Sequence, residues 1–138
     1  EKEVSDRLFF HPPVSPKILY RYTADASLGL IPIEPTCLSY KFCLPNKLFE
    51  FIQANLPIVS SDLPELRKIV EDYEIGLTFE PGNYEQLAEK VNSIYSDKAF
   101  QEKSISHLQK ASKNLCWQKE QETYLASLSA ATSLINSS

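Results

Sequence analysis

The stretch that decides the fold runs from Leu44 to Leu66 and reads LPNKLFEFIQANLPIVSSDLPEL. A proline opens a short helix from Asn46 to Ala54 that is apolar on nearly every side. A tight break, a β-branched strand from Pro57 to Ser60 and a second helix start follow it. Asp62 and Glu65 stand at capping-box spacing ahead of Leu66, Ile69 and Val70. Only Lys47 and Glu50 interrupt the first helix with charge, and at three residues apart they are neighbours on its surface. Helix, strand and helix in such close order point to crossover helices on a parallel sheet.

Upstream, the apolar run Leu8 to Phe10 is closed by His11, Pro12 and Pro13 and reads as a strand ending in a turn, because paired prolines cannot continue a ladder. In SPKILYRYTADA, Ser15 supplies a cap, Pro16 a first-turn proline, and Ile18, Leu19 and Tyr22 the helical spacing. The unbroken apolar run in ASLGLIPI has the character of a strand buried on both faces. From Pro32 to Pro45 nothing is periodic, and a connection of about fourteen residues inside a compact domain is more often functional than structural.

Downstream, Ile75 to Phe79 predicts a further strand, with Gly76 near its start and Pro81-Gly82 closing it. Asn83 caps a helix with Leu87, Ala88, Val91, Ile94 and Tyr95 on one face, and Gln86 completes its box. Asp97 caps another helix, with Phe100, Leu108, Ala111 and Leu115 in one stripe. A last helix carries Tyr124, Leu125, Leu128 and Ala131, and Asn136, Ser137 and Ser138 are expected to fray. Four strand-helix alternations followed by helices alone give the fold class α/β, a doubly wound parallel sheet with extra C-terminal helices. Four strands make a small sheet, so further strands are expected upstream of Glu1.

At 138 residues the chain has the size of one domain, spanning 1–138. A net charge of -4 offers no general attraction to nucleic acid or anionic lipid, so a phosphate ligand must be held by local groups. Three cysteines, Cys37, Cys43 and Cys116, are odd in number and lack CxxC spacing, which argues against a disulfide framework or a zinc site and fits a reducing compartment. No apolar run approaches the length of a membrane span. A soluble, cytoplasmic protein is the expectation, with room for peripheral association when the substrate is membrane-bound.

In open parallel sheets, ligands bind beyond the carboxyl ends of the strands, where loops hand over to helix N-termini. The loop Pro32–Pro45 lies at such an end. The helix that it feeds offers free N–H groups and the positive end of its dipole to a phosphate or diphosphate. Lys47 in the first turn opposes that dipole unless an anion is bound there. For Glu50, expected to be buried on an apolar helix, two readings stand side by side: an ion pair with Lys47, or hydrogen bonds to a hydroxyl-bearing ligand such as a sugar.

The run LPNKLFEFIQANLPIVSSDLPELRKIV, with IGLTF and PGNYEQLAEKV after it and HPPVSPKILYRYTADASLGLIPIEP before it, resembles the carboxyl-terminal, Rossmann-like domain of GT-B glycosyltransferases of the group 1, family 4 type. The resemblance covers nearly the whole chain. It implies that the helix beginning at Asn46 receives the diphosphate of a nucleotide-sugar on its N–H groups, that Glu50 accepts hydrogen bonds from the ribose hydroxyls, and that Lys47 lies near the phosphates. It places Ser39 and Tyr40 near the sugar or the diphosphate, and the turn His11–Val14 near the base. It further implies retaining transfer without a bound metal or cofactor, to a sugar of a growing polysaccharide or glycolipid, with an amino-terminal acceptor domain as the missing partner. The isolated chain is therefore expected to bind donor weakly and to be inactive.

One position departs from the pattern. Many members of the family carry a glutamate eight residues before the one matched by Glu50, and Phe42 stands there; the nearest upstream acid is Glu34. This puts the usual role of that carboxylate at the sugar in doubt, and keeps a degenerate, non-catalytic binding module as an alternative beside a nucleotide-sugar epimerase relative. Catalytic residues are not assigned. His11 reads as a turn residue, His107 as solvated surface, Cys37 and Cys43 as bystanders without a base to activate them, and Trp117 as packing under the last helix.

Overall fold

The structure, a computed structural model, describes residues 6–136. Ten elements follow one another in these residues: α1 (Pro16–Ala24), β1 (Gly29–Ile31), α2 (Leu38–Lys41), α3 (Asn46–Gln53), β2 (Ile58–Ser61), α4 (Pro64–Asp72), β3 (Gly76–Phe79), α5 (Tyr84–Ser96), α6 (Lys98–Asn114) and α7 (Trp117–Asn136). The three strands form one parallel sheet in the order β1-β2-β3. Its register pairs Gly29 with Ile58 and Ile58 with Gly76.

Helices cover both faces. On one face Leu48 and Ile52 of α3, Leu66 and Val70 of α4, and Leu108 and Ala111 of α6 pack on Ile31, Ile58 and Ile75, all of them buried. On the other, Ile94 of α5 closes over Val59 and Phe79, with Leu77, Leu87 and Val91 partly buried around them. Alternate residues of β2 thus feed different cores, Ile58 one and Val59 the other, as the two-residue period of a strand requires. Each fully buried aliphatic side chain contributes on the order of 2 kcal/mol.

Local chemistry sets the element ends. Ser15 Oγ accepts from the Lys17 N–H and Pro16 follows it in the first turn of α1. Asn83 Oδ1 accepts from the Gln86 N–H at 3.0 Å, and Asp97 Oδ1 from the Phe100 N–H at 2.9 Å. Between β3 and α5, Pro81 and Gly82 (φ 82°) form the centre of a turn closed by the Asn83 N–H on the Glu80 carbonyl at 2.9 Å. That is type II geometry, in which glycine takes the left-handed position at no steric cost. Asn55 (φ 56°) ends α3 in the left-handed conformation that asparagine tolerates.

Several expectations are corrected. Leu8–Phe10 form no strand: Phe9 and Phe10 are 84% and 89% exposed, and among the described residues no strand lies beside them to complete a ladder, so three strands are described in the sheet where four were expected. The Pro32–Pro45 connection is not structureless, because α2 makes one turn within it. Asp62 and Glu65 form no capping box. Pro64 takes the first helical position of α4, which moves the cap to Leu63 and leaves Asp62 to accept from the Arg67 guanidinium instead. Gln86 completes only half of its box, since its side chain receives the Glu80 N–H. His107 is not solvated surface: it is half-buried, with Nδ1 3.3 Å from a Glu74 oxygen that also holds Lys103 at 2.7 Å. The expected fraying at Ser137 and Ser138 lies outside the described residues, and Asn136 still belongs to α7.

Candidate functional site

The site is built on α3. Its N-cap is Pro45, in extended conformation and with no side chain able to cap the helix. The Leu48 N–H is used by the Pro45 carbonyl at 3.0 Å. The Asn46 and Lys47 N–H groups have no partner among the described residues, so the positive end of α3 opens outward with two free donors.

The helix is two-sided rather than apolar all round. Leu48 and Ile52 are buried, whereas Asn46, Glu50 and Gln53, at spacings of four and three residues, form an exposed polar stripe. Glu50 is therefore exposed, which corrects the expectation of a buried carboxylate. It makes no ion pair with Lys47 or with any other described residue. Of the two readings of that charge pair, the ion pair is absent from the structure.

Asn46, Phe49, Glu50 and Gln53 face a groove of about 910 Å³, within the size range of small-molecule sites. A second wall comes from α1 through Pro16, Leu19, Tyr20 and Thr23, again one helical stripe. The third wall is the junction of α6 and α7, from Asn114 to Gln118, with Glu120 beyond it. Gln53 Nε2 donates to the Ser112 and Leu115 carbonyls at 3.0 and 3.5 Å, which ties the end of α3 to that junction. The groove walls are mostly apolar, and no lysine or arginine lines them.

The structure thus brings Asn46 and Glu50 together on one groove. Lys47 sits at the same helix end, exposed but outside the groove lining. Ser39 and Tyr40 lie on α2, both exposed and also outside it. Phe42 ends α2 with about half its surface open and its ring 5.7 Å from Lys41 Nζ. The start of the loop is anchored over the sheet: the Ile33 N–H donates to Ser61 Oγ at 2.8 Å and Tyr84 Oη donates to Glu34 at 2.9 Å. That hydrogen bond and the charge of Glu34 hold the Tyr84 phenol above its ordinary pKa.

Of the residues read as bystanders, His11 donates from Nδ1 to the Pro12 carbonyl at 2.7 Å and sets its ring edge against Tyr22, with centroids 4.7 Å apart. The turn His11–Val14 does not line the groove, which reaches only to Pro16. Trp117 is not packed under the last helix: it is 65% exposed at the groove wall. Sequence reasoning missed Tyr20, Gln53 and Trp117. The i, i+4, i+7 spacing of Asn46, Glu50 and Gln53 was the available signal for Gln53, whereas nothing local marks the α6–α7 junction as its neighbour.

A family model described as "Glycosyl transferases group 1" matches residues 1–97. The chain belongs to the group 1 glycosyltransferases. The match takes in the sheet, both helical layers through α5, and two of the three groove walls; α6 and α7 lie beyond it. Membership of this glycosyltransferase family implies a nucleotide-sugar donor. Neither the curated proteins nor the solved structures gave a match to the chain. No helix among the described residues of this glycosyltransferase domain is long and apolar enough to cross a membrane.

Proposed function

We propose that the chain is the donor-binding part of a glycosyltransferase, and that the groove on α3 holds a nucleoside diphosphate sugar. The observation that carries this is an uncapped helix start followed one turn later by an unpaired carboxylate, on one stripe and facing one groove. The free N–H groups of Asn46 and Lys47 suit a diphosphate. Glu50, an acceptor without a donor among the described residues, suits the paired hydroxyls of ribose. Lys47, beside the same helix end, adds charge at the phosphates, and an anion there offsets its opposition to the dipole. Ser39 and Tyr40 face the sugar end from α2 in this reading.

The transfer follows the family pattern: retaining, to a sugar of a polysaccharide or glycolipid, on the cytoplasmic side. As the glycosidic bond breaks, negative charge develops on the leaving diphosphate. Fixed N–H donors at a helix start stabilise that charge without reorganising, so they bind the transition state more tightly than the ground state.

Calorimetric titration of the chain with nucleoside diphosphates tests the reading. One nucleotide giving saturable heat supports it, and no heat with any of them removes the donor site. A second reading, a domain that binds a nucleotide without transfer, draws on Phe42, whose exposed ring stands where the family usually has an acid. It is distinguished by a Phe42→Glu variant of the full-length enzyme. Unchanged turnover with a working acceptor would show that the missing carboxylate does not limit transfer.

A further inference from the structure

The loop between β1 and α3 is long, open and thinly attached. Every residue from 34 to 42 is exposed. Its helical element, α2, is a turn of four residues, far below the length at which a helix is stable by itself. The backbone hydrogen bonds donated by Thr36, Lys41, Phe42 and Cys43 stay inside the loop. Among the described residues, one hydrogen bond reaches this exposed segment from the rest of the fold, donated by Tyr84 Oη to Glu34 at 2.9 Å.

The path of that bond matters. Ile33 is tied to Ser61 at the end of β2, and Tyr84 stands at the start of α5, beyond the end of β3. Because β2 separates β1 from β3, those two strands lie about 10 Å apart at the usual strand spacing. The phenol therefore draws the loop across the carboxyl ends of all three described strands, the edge where open parallel sheets hold their ligands. Tyr84 is a fixed post, since Asn83 caps α5 and the Pro81-Gly82 turn sets the approach to it. The α3 helix does not depend on the bond, because Leu48 and Ile52 seat it in the core. On the donor reading above, in which the loop carries Ser39 and Tyr40 to the sugar and α3 carries the nucleotide, we propose that Tyr84 is a positioning residue that acts through Glu34 to hold the loop in place for the sugar. Its effect falls on the sugar half of the donor and spares the nucleotide half, since a group held in register before binding adds affinity only for the part of the ligand it meets.

Tyr84→Phe removes the donating hydroxyl and keeps the ring. The chain and this variant are titrated by calorimetry with UDP, GDP and ADP, and with UDP-glucose, GDP-mannose and ADP-glucose. For the nucleotide that binds, Tyr84→Phe should raise the Kd of the sugar nucleotide about three- to tenfold, the usual worth of one hydrogen bond, and leave the Kd of the diphosphate unchanged. Glu34→Ala should match it, and the double variant should be no weaker than either single one, because both changes remove the same bond. Trypsin cleavage after Lys41, which follows the open population of the loop, should quicken in each variant while the far-ultraviolet circular dichroism stays that of the parent, as both side chains are exposed. An unchanged Kd for the sugar nucleotide, an equal loss for the diphosphate, additive losses in the double variant or an unchanged cleavage rate overturns the positioning role and leaves the donor site standing. So does a diphosphate that binds while its sugar nucleotide does not. Absence of heat from every nucleotide overturns the donor reading and the positioning role together.

Discussion

Glu50 is exposed one turn from an uncapped helix start and has no partner among the described residues, and a carboxylate so placed gains little from the rest of the fold. Glu50→Ala should therefore leave thermal stability nearly unchanged while raising the nucleotide Kd ten- to a hundredfold, the range of hydrogen bonds to a charged group. Calorimetry and a thermal melt on the same sample check both halves, and an unchanged Kd returns Glu50 to the role of a solvated surface residue. Tyr84 and Glu34 make the second residue-scale prediction. Because the neutral phenol donates to Glu34, the folded protein holds that proton more tightly than the unfolded chain does. The contribution to stability is thus complete below the ordinary tyrosine pKa of about 10 and is lost as pH rises through the folded value. In absorbance at 295 nm, the difference between parent and Tyr84→Phe should titrate above pH 10, and Glu34→Gln should move it down.

The elements of the sheet come together through close backbone approach at Gly76. A methyl group there would be driven into the Ile58 carbonyl of the neighbouring strand, which cannot retreat without breaking the β2–β3 ladder. Gly76→Ala should destabilise by about 1 to 3 kcal/mol, the usual cost of forcing extra volume into a packed site, and denaturant unfolding measures it. In sequence the same glycine weakens the strand assignment. In the structure it is what lets β3 pair. Glu74, left-handed at φ 49° after α4, shows the opposite case of a residue held against its preference while Lys103 and His107 of α6 engage its carboxylate. The Lys103 hydrogen bond and charge keep that carboxyl below the usual glutamate range.

At the scale of the molecule, α6 and α7 have different standing although both lie beyond residues 1–97. Leu108 and Ala111 of α6 complete the core under α3 and α4. Side chains of α7 from Trp117 to Ala130 are exposed, apart from a half-buried Gln121. A chain ending at Asp97 should therefore lose its cooperative thermal transition, whereas one ending at Cys116 should keep it, with a Tm within a few degrees of the parent. Circular dichroism melts of the two truncations decide this. Cooperative melting of the shorter chain would show that α6 is an accessory to the core.

Local pattern and composition were enough to determine the parallel α/β class, the helix starts at Ser15, Asn83 and Asp97, and the loop-to-helix handover at Asn46, because caps, prolines and side-chain periods act over a few residues. The same reasoning misplaced Leu8–Phe10, since an apolar run becomes a strand only when a neighbour offers it a ladder. It also took Glu50 for a buried group, because one helix cannot reveal which of its faces the sheet covers. Tertiary structure alone decided that Glu50 faces a groove, that Lys47 does not pair with it, and that Trp117 is brought to the end of its stripe from some sixty residues away. Those outcomes depend on how α1, α3 and the α6–α7 junction pack together, and contacts at such separation are written in no short stretch of the chain.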